Sequence, residues 1–270
     1  MAYIDNIRHG FQMCENHGVT FFKIPSIEET GLYRHGFSSR LGGVSTGCYT
    51  SLNLSRTRGE PAEVDENYSR FARAVGIDAH LMTACHYEHG VNVVKAGASE
   101  AGAGVIREND LPFCDGVVIS DRSAAALTLH ADCTPLFFAD KKGRAAGTAH
   151  AGWKGTYGGI ALNMIDGLNV PAGDILVGIG PSIRVCCFEV QSDVSSLFKE
   201  KYGSGVMEER EGRQYIDLLK VTLMQLEAKG IPPENITVSD MCTFCEEKLF
   251  YSHRRDKGET GAMASVIAFI

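Results

Sequence analysis

Asp115–Ser120 (DGVVIS), Ala124–His130 (AAALTLH), Pro135–Ala139 (PLFFA) and Ala145–His150 (AAGTAH) are four short apolar runs in one continuous block. Polar or glycine-bearing breaks such as Asp140-Lys141-Lys142-Gly143 separate them. Runs of this length, bounded by turn residues, read as β-strands, and the block reads as a sheet. Strands return at Ile175–Ile179, Ile236–Ser239 and Met263–Phe269.

Around this block the apolar period changes. Val190, Val194, Leu197 and Phe198, and again Ile216, Leu219, Leu223 and Leu226, recur at helical spacing with charged residues opposite, so two helices are expected to cover the sheet. A third helix is expected from about Gly155 to Gly167, and a fourth over about Ala62 to Val75. Adjacent strands followed by strand–helix alternation favour a mixed α/β or α+β architecture over a regular doubly wound sheet. No repeat, low-complexity tract or proline-rich linker interrupts the 270 residues, so a single domain over 1–270 is expected.

Composition narrows the function. A hydrophobic fraction of 44% and a charged fraction of 22% are ordinary globular usage and exclude disordered, collagen-like and coiled-coil chains. The net charge of −7 has the wrong sign for a protein whose main partner is nucleic acid or an anionic membrane, although a local basic pocket is compatible with it. The richest apolar stretch, Ala124 to Phe138, is broken by His130 and Asp132 and falls short of the roughly 18 uninterrupted residues of a membrane span. Met1 to Gly10 lacks the pattern of a secretory signal, which makes the cytoplasm the expected address. Nine cysteines in a long chain argue for individual roles rather than a disulfide framework.

Three residues stand where an apolar run meets a polar or glycine turn: His89 in His86–Gly90 (HYEHG), Cys133 in His130–Pro135 (HADCTP) and His150 in Thr148–Gly155 (TAHAGWKG). One thiolate and two imidazoles suit zinc with an open fourth position. The spacing is irregular, however. A buried cysteine is ordinarily a small hydrophobe, and a strand-end histidine a surface or capping residue, so the residues alone leave both readings open.

The strings His35–Ser45 (HGFSSRLGGVS), Ala131–Leu136 (ADCTPL), His150–Gly155 (HAGWKG), Gly178–Ser182 (GIGPS) and Tyr251–Asp256 (YSHRRD) resemble, in order, the YfiH family. This family is also labelled multicopper polyphenol oxidase or laccase-domain. The resemblance runs from about Tyr33 to the C-terminus. It implies a YfiH-like mixed α/β (α+β) single domain, with a central mixed β-sheet or sandwich covered by helices. It also implies a zinc-bound purine nucleoside phosphorylase acting on adenosine, inosine, guanosine and methylthioadenosine with phosphate, with adenosine deaminase activity beside it. In the family pattern the metal ligands, which are also the catalytic positions, fall on His89, Cys133 and His150. Tyr87 stands where the family usually has glutamine.

Phosphorolysis needs an anion site. Arg40 beside Gly42-Gly43 and Ser45 can supply one, Gly152-Trp153-Lys154-Gly155 at a helix start another, and Arg254 with Arg255 a third. Arg40, Ser45 and Lys154 are therefore the expected phosphate or ribose contacts. Deamination at a zinc site requires a nearby carboxylate, for which Glu88, Asp115 and Asp132 are candidates, each of which could equally hold a ligand in place. A copper-dependent polyphenol oxidoreductase is the alternative, since one cysteine and two histidines also suit copper, but the His-X-His pairs of a multicopper cluster are absent. A Cys133–His150 nucleophile without metal, and a non-catalytic binding module, are further alternatives. Cys242 and Cys245, with the vicinal Cys186-Cys187, are expected to serve in packing.

Overall fold

The computed structural model describes residues 3–270. A seven-stranded mixed sheet has the spatial order Arg8–His9, Ile236–Val238, Ile175–Ile179, Thr134–Asp140, Ala146–Ala151, Gly116–Ile119 and Val93–Ala96. A six-stranded sheet has the order Gln12–Asn16, Val19–Lys23, Tyr33–Ser38, Met263–Phe269, Ala125–His130 and Met82–Ala84. A small antiparallel sheet joins Glu189–Val190, Arg213–Ile216 and Met207–Arg210.

The two large sheets pack face to face. Val117, Ile119, Phe137 and Ala139 of the first meet Phe22, Phe37, Ala126 and Ile267 of the second in one core cluster. The alternate residues on the same strands face outward and are buried there too. Val118, Leu136 and Phe138 pack with Ile160, Met164 and Leu226 from helices Ile160–Leu168 and Leu218–Ala228. Ala125, Leu127 and Val266 pack with Val64, Tyr68 and Phe71 from helix Pro61–Val75. Strands covered on both faces need apolar residues at every position, which is why these segments read as continuous apolar runs.

Each strand of the 115–150 block forms within a residue or so of its expected bounds, but the block is not one sheet. Ala125–His130 lies in the six-stranded sheet, paired with Met263–Phe269 and Met82–Ala84, while the three other strands lie in the seven-stranded sheet. The links on either side of Ala125–His130 carry the chain from one layer to the other and back, so neither is a hairpin turn. The expected helix from Gly155 to Gly167 is two helices, Trp153–Gly158 and Ile160–Leu168. Gly159 separates them at φ 96°, a left-handed conformation that ends the first helix as its N–H reaches the Gly155 and Thr156 carbonyls. Val190 and Ile216, grouped with helices by spacing, lie in short strands; the helices begin at Ser192 and Leu218. The former packs on the small sheet rather than on a large one. Among the described residues, no helix is long and apolar enough to cross a membrane.

Phe137 is fully buried between the sheets. Phe137→Ala is expected to lower unfolding free energy by about 3–5 kcal/mol. Urea denaturation with an unchanged slope would measure it.

Candidate functional site

The pairing register brings the site together. His150 is opposite Pro135 and Ala151 opposite Thr134, so Cys133 enters its strand beside the end of the His150 strand. On the other side Ala149 is opposite Gly116, which sets Asp115 against His150; the His150 N–H donates to the Asp115 carbonyl at 2.7 Å. The loop carrying His89 folds onto the same point. As a result one donor atom each from His89, Cys133 and His150 lies within 4.8 Å of the others.

Asp115 organises this arrangement. It is fully buried, and its carboxylate accepts from the N–H groups of Gly90 (2.7 Å), His89 (3.1 Å) and Glu88 (3.4 Å) and faces His150 Nδ1 at 2.9 Å. Burial disfavours its charge, but the His150 and Gly90 contacts outweigh that and hold its pKa below the ordinary carboxylate value. The contact occupies His150 Nδ1 and leaves Nε2 to face the cluster. His89 and Asp132, which precedes Cys133, adopt φ of 59° and 84°, a left-handed backbone that non-glycine residues hold only when surroundings impose it. At His89 the Asp115 bonds impose it. At Asp132 the carboxylate accepts from Thr243 Oγ1 (2.7 Å), Ser252 Oγ (3.0 Å) and the Arg254 N–H (2.7 Å).

Gly152 admits the cluster. A Cβ there would come within 3.2 Å of Cys133 Sγ and 3.3 Å of the His89 ring. His130 lies behind, fully buried; Nδ1 donates to the Cys133 carbonyl, and Nε2 accepts from the hydroxyls of Thr128 and Ser265. Burial and then the charge on His150 push its pKa well down, so it stays neutral. The Tyr87 ring meets His150 edge-on at 5.1 Å and its hydroxyl accepts from Leu129 N–H, so this residue is a wall of the site.

Electrostatically, Cys133 and His150 form a pair. Burial pushes the Cys133 thiol up, but the charge and hydrogen bonds of His150 and then His89 bring it down to about 6. Burial likewise opposes charge on His150, but Cys133 and Asp115 raise its pKa to about 10. A preformed thiolate, two histidine rings, one of which gives up a proton on binding, and a carboxylate behind that ring make a donor set that fits a borderline divalent metal such as zinc.

The cluster opens on a cleft of about 970 Å³, lined by Tyr87, Val105, Leu129 and Trp153 among apolar residues and by Arg254 and Glu108 among charged ones. Arg40, Ser45 and Lys154, the phosphate or ribose contacts expected from local sequence, lie outside this lining. Arg40 donates to the carbonyls of Thr50 and Glu247 and lies over the Tyr251 ring. Ser45 is buried and accepts from Asn67, and Lys154 is exposed, 5.7 Å from the Trp153 ring centre. Arg255 is committed to Asp256 and three backbone carbonyls. Arg254 lines the cleft with one N–H donated to the Glu189 carbonyl. Arg56 and Arg58, also on the wall, were missed by the motif reading; Arg56 binds Asp65 and the Val105 carbonyl, and Arg58 the carbonyls of Gly258 and Thr260.

The fold and this Cys-His-His cleft define a laccase-like class. The family model described as Multi-copper polyphenol oxidoreductase laccase matches residues 34–270, and the chain belongs to this family, that of the YfiH-like proteins. It is 35% identical over 242 residues to "Purine nucleoside phosphorylase YlmD" of Geobacillus stearothermophilus, covering 86% of this chain and 88% of that one. It is 37% identical over 237 residues to "Purine nucleoside phosphorylase" of Deinococcus radiodurans, with the same coverage. The solved Bacillus licheniformis hypothetical protein YfiH superposes with a TM-score of 0.87 at 29% identity, over 96% of this chain and 99% of that one.

Asp115→Asn removes a charged acceptor behind two of the three donors, and is expected to weaken zinc binding about 10–100-fold, as read by competition with a chromophoric chelator. Metal binding must also displace protons. At pH 8, above the Cys133 value and below that of His150, zinc uptake is expected to release about one proton, from His150. Affinity should fall as pH drops through about 6, where Cys133 gains its proton. Calorimetry in buffers of different ionisation enthalpy reads both.

Proposed function

We propose that the protein is a zinc-dependent purine nucleoside phosphorylase of the cytoplasm, a single domain over 1–270, accepting adenosine, inosine, guanosine and methylthioadenosine. The observation that carries this reading is the Asp115-anchored cluster of His89, Cys133 and His150 at a cleft of nucleoside size, in a chain whose relatives are named for this activity. Bound there, zinc would act as a Lewis acid, stabilising the negative charge that develops during cleavage.

The chain's own residues supply the rest. In phosphorolysis a phosphate oxygen bonds to the anomeric carbon as the bond from that carbon to the purine nitrogen breaks, and the base leaves with the electron pair. The sugar becomes cationic meanwhile, so the reaction needs a fixed anion site and a dry wall for the base. Of the arginines on the wall, Arg56, Arg58 and Arg107 are held by a carboxylate or by carbonyls, whereas Arg254 has one backbone contact and donors to offer phosphate. Tyr87, Val105 and Leu129 present the apolar surface for a purine.

Deamination draws less support. The carboxylates of Asp115 and Asp132 are engaged in holding the site, and that of Glu88 accepts from Asn92. The acidic side chain on the wall that such a reaction could use is Glu108. Copper-dependent polyphenol oxidation also draws less: among the described residues, two donor clusters of three or more Cys, His, Asp or Glu occur, and neither is a second set of histidines.

Zinc-loaded protein with adenosine and phosphate is expected to yield adenine and ribose 1-phosphate, and adenine should not form without phosphate. Mass spectrometry of the products tests this. Phosphate-independent cleavage, or oxygen uptake with a phenol and none of these products, would overturn it. Arg254→Ala should raise the KM for phosphate about tenfold or more, as loss of a charge-assisted hydrogen bond requires. Any inosine formed should vanish in Glu108→Gln while adenine formation persists.

A further inference from the structure

Four cysteines outside the cleft come together although the sequence divides them into two pairs far apart. Donor atoms of Cys186, Cys187, Cys242 and Cys245 all lie within 4.8 Å of one another. Cys187 Sγ is 3.5 Å and Cys186 Sγ 4.0 Å from Cys245 Sγ. Four sulfurs around zinc at about 2.3 Å stand about 3.8 Å apart, the range observed here, while a disulfide needs about 2.0 Å. Packing does not account for the cluster either, since Cys186 and Cys245 are exposed and Cys187 is half-buried; Cys242 alone of the four is buried.

The backbone orders the cluster at two points, the turn that carries Cys187 and the sulfur of Cys242. Cys187 N–H donates to the Arg184 carbonyl, closing a turn from which both vicinal sulfurs reach Cys245. Arg184 N–H donates to Cys242 Sγ at 3.5 Å, and the N–H groups of Phe244 and Cys245 act on the same sulfur. N–H groups converging on one sulfur favour its thiolate form. A second, independent observation concerns charge. Zinc with four thiolates carries a net charge of about −2 and needs a cation nearby. The Arg184 guanidinium lies within the electrostatic reach of Asp217, Cys242, Asp240 and Cys186, and its Nη1 is buried without a hydrogen-bond partner.

We infer that Cys186, Cys187, Cys242 and Cys245 hold a second, structural zinc ion in a closed tetrathiolate site, which shares no residue with the His89-Cys133-His150 cluster and does not depend on the function proposed above. The ion clamps two loops. One runs through Ile183 and Phe188, both on the cleft wall; the other carries Thr243, which donates to Asp132 next to Cys133. The two loops already meet through the Ser182–Cys242 bridge and the bond from Thr243 N–H to the Ser182 carbonyl.

Elemental analysis of protein purified under reducing conditions without chelator tests the assignment. Wild type loaded with zinc should hold about two ions, Cys133→Ser about one, and Cys133→Ser combined with Cys245→Ser close to none. Cys245 is exposed, and circular dichroism checks that its substitution leaves the fold intact. In cobalt-loaded Cys133→Ser protein the remaining ion should show the intense sulfur-to-cobalt charge transfer of a tetrathiolate, a readout that leaves all four cysteines in place. A metal-free Cys133→Ser protein would overturn the inference. So would iron in place of zinc, a Cys187–Cys245 disulfide in the reduced preparation, or zinc retained when Cys245 is replaced.

Discussion

The site depends on one buried negative charge. Asp115 is fully buried just before the strand Gly116–Ile119, and a carboxylate there is tolerable only if its oxygens are met by donors. Those donors come from two places: the N–H groups of residues 88–90, and the ring of His150. The same bonds that satisfy the charge therefore force His89 into its left-handed backbone and fix which nitrogen of His150 faces Cys133. A partly exposed loop and a sheet interior are joined through one side chain, and the donor cluster is what results.

Beneath it, the sandwich supplies rigidity where a two-sheet interface would ordinarily be apolar. Thr128 and Ser265 on one sheet and Thr148 on the other share hydroxyl contacts of 2.6–2.9 Å, and His130 completes the network up to the Cys133 carbonyl. A polar network that is fully satisfied in a low-dielectric interior holds a single register. One residue of slip would bring the other strand face inward and separate Cys133 from His150.

What could be read from the sequence follows the range of the interactions. Ile175–Ile179 and Met263–Phe269 form over the residues that their apolar runs mark, because strand formation there is a local matter of pattern. The assignment of Ala125–His130 to a second sheet could not be read, since its partners Met82–Ala84 and Met263–Phe269 lie far along the chain. The hairpin Gln12–Asn16 with Val19–Lys23 was passed over because its outer strand is exposed and polar. Arg40, beside glycines, has the makings of an anion cradle, and what the fold does with its fork, set onto two carbonyls and an aromatic face, is not legible in the local sequence. Arg254 has the same chemistry in an equally local motif, and only its position against the cleft separates them.

The two donor clusters differ in what they leave open, and that difference follows from their surroundings. At His89, Cys133 and His150, three donors meet at the end of a cleft, with Gly152 keeping a side chain out of the approach. A tetrahedral ion held there would keep a coordination position for an exchangeable ligand. At the four cysteines every position would be filled by sulfur, so the ion could take no substrate and its binding energy would go into the fold. Asp132 lies between the two, with its carboxylate on Thr243 from one cysteine loop and on the Arg254 N–H of the cleft wall, one residue before Cys133. The loops held by the closed cluster thus set the backbone from which the open cluster takes its sulfur.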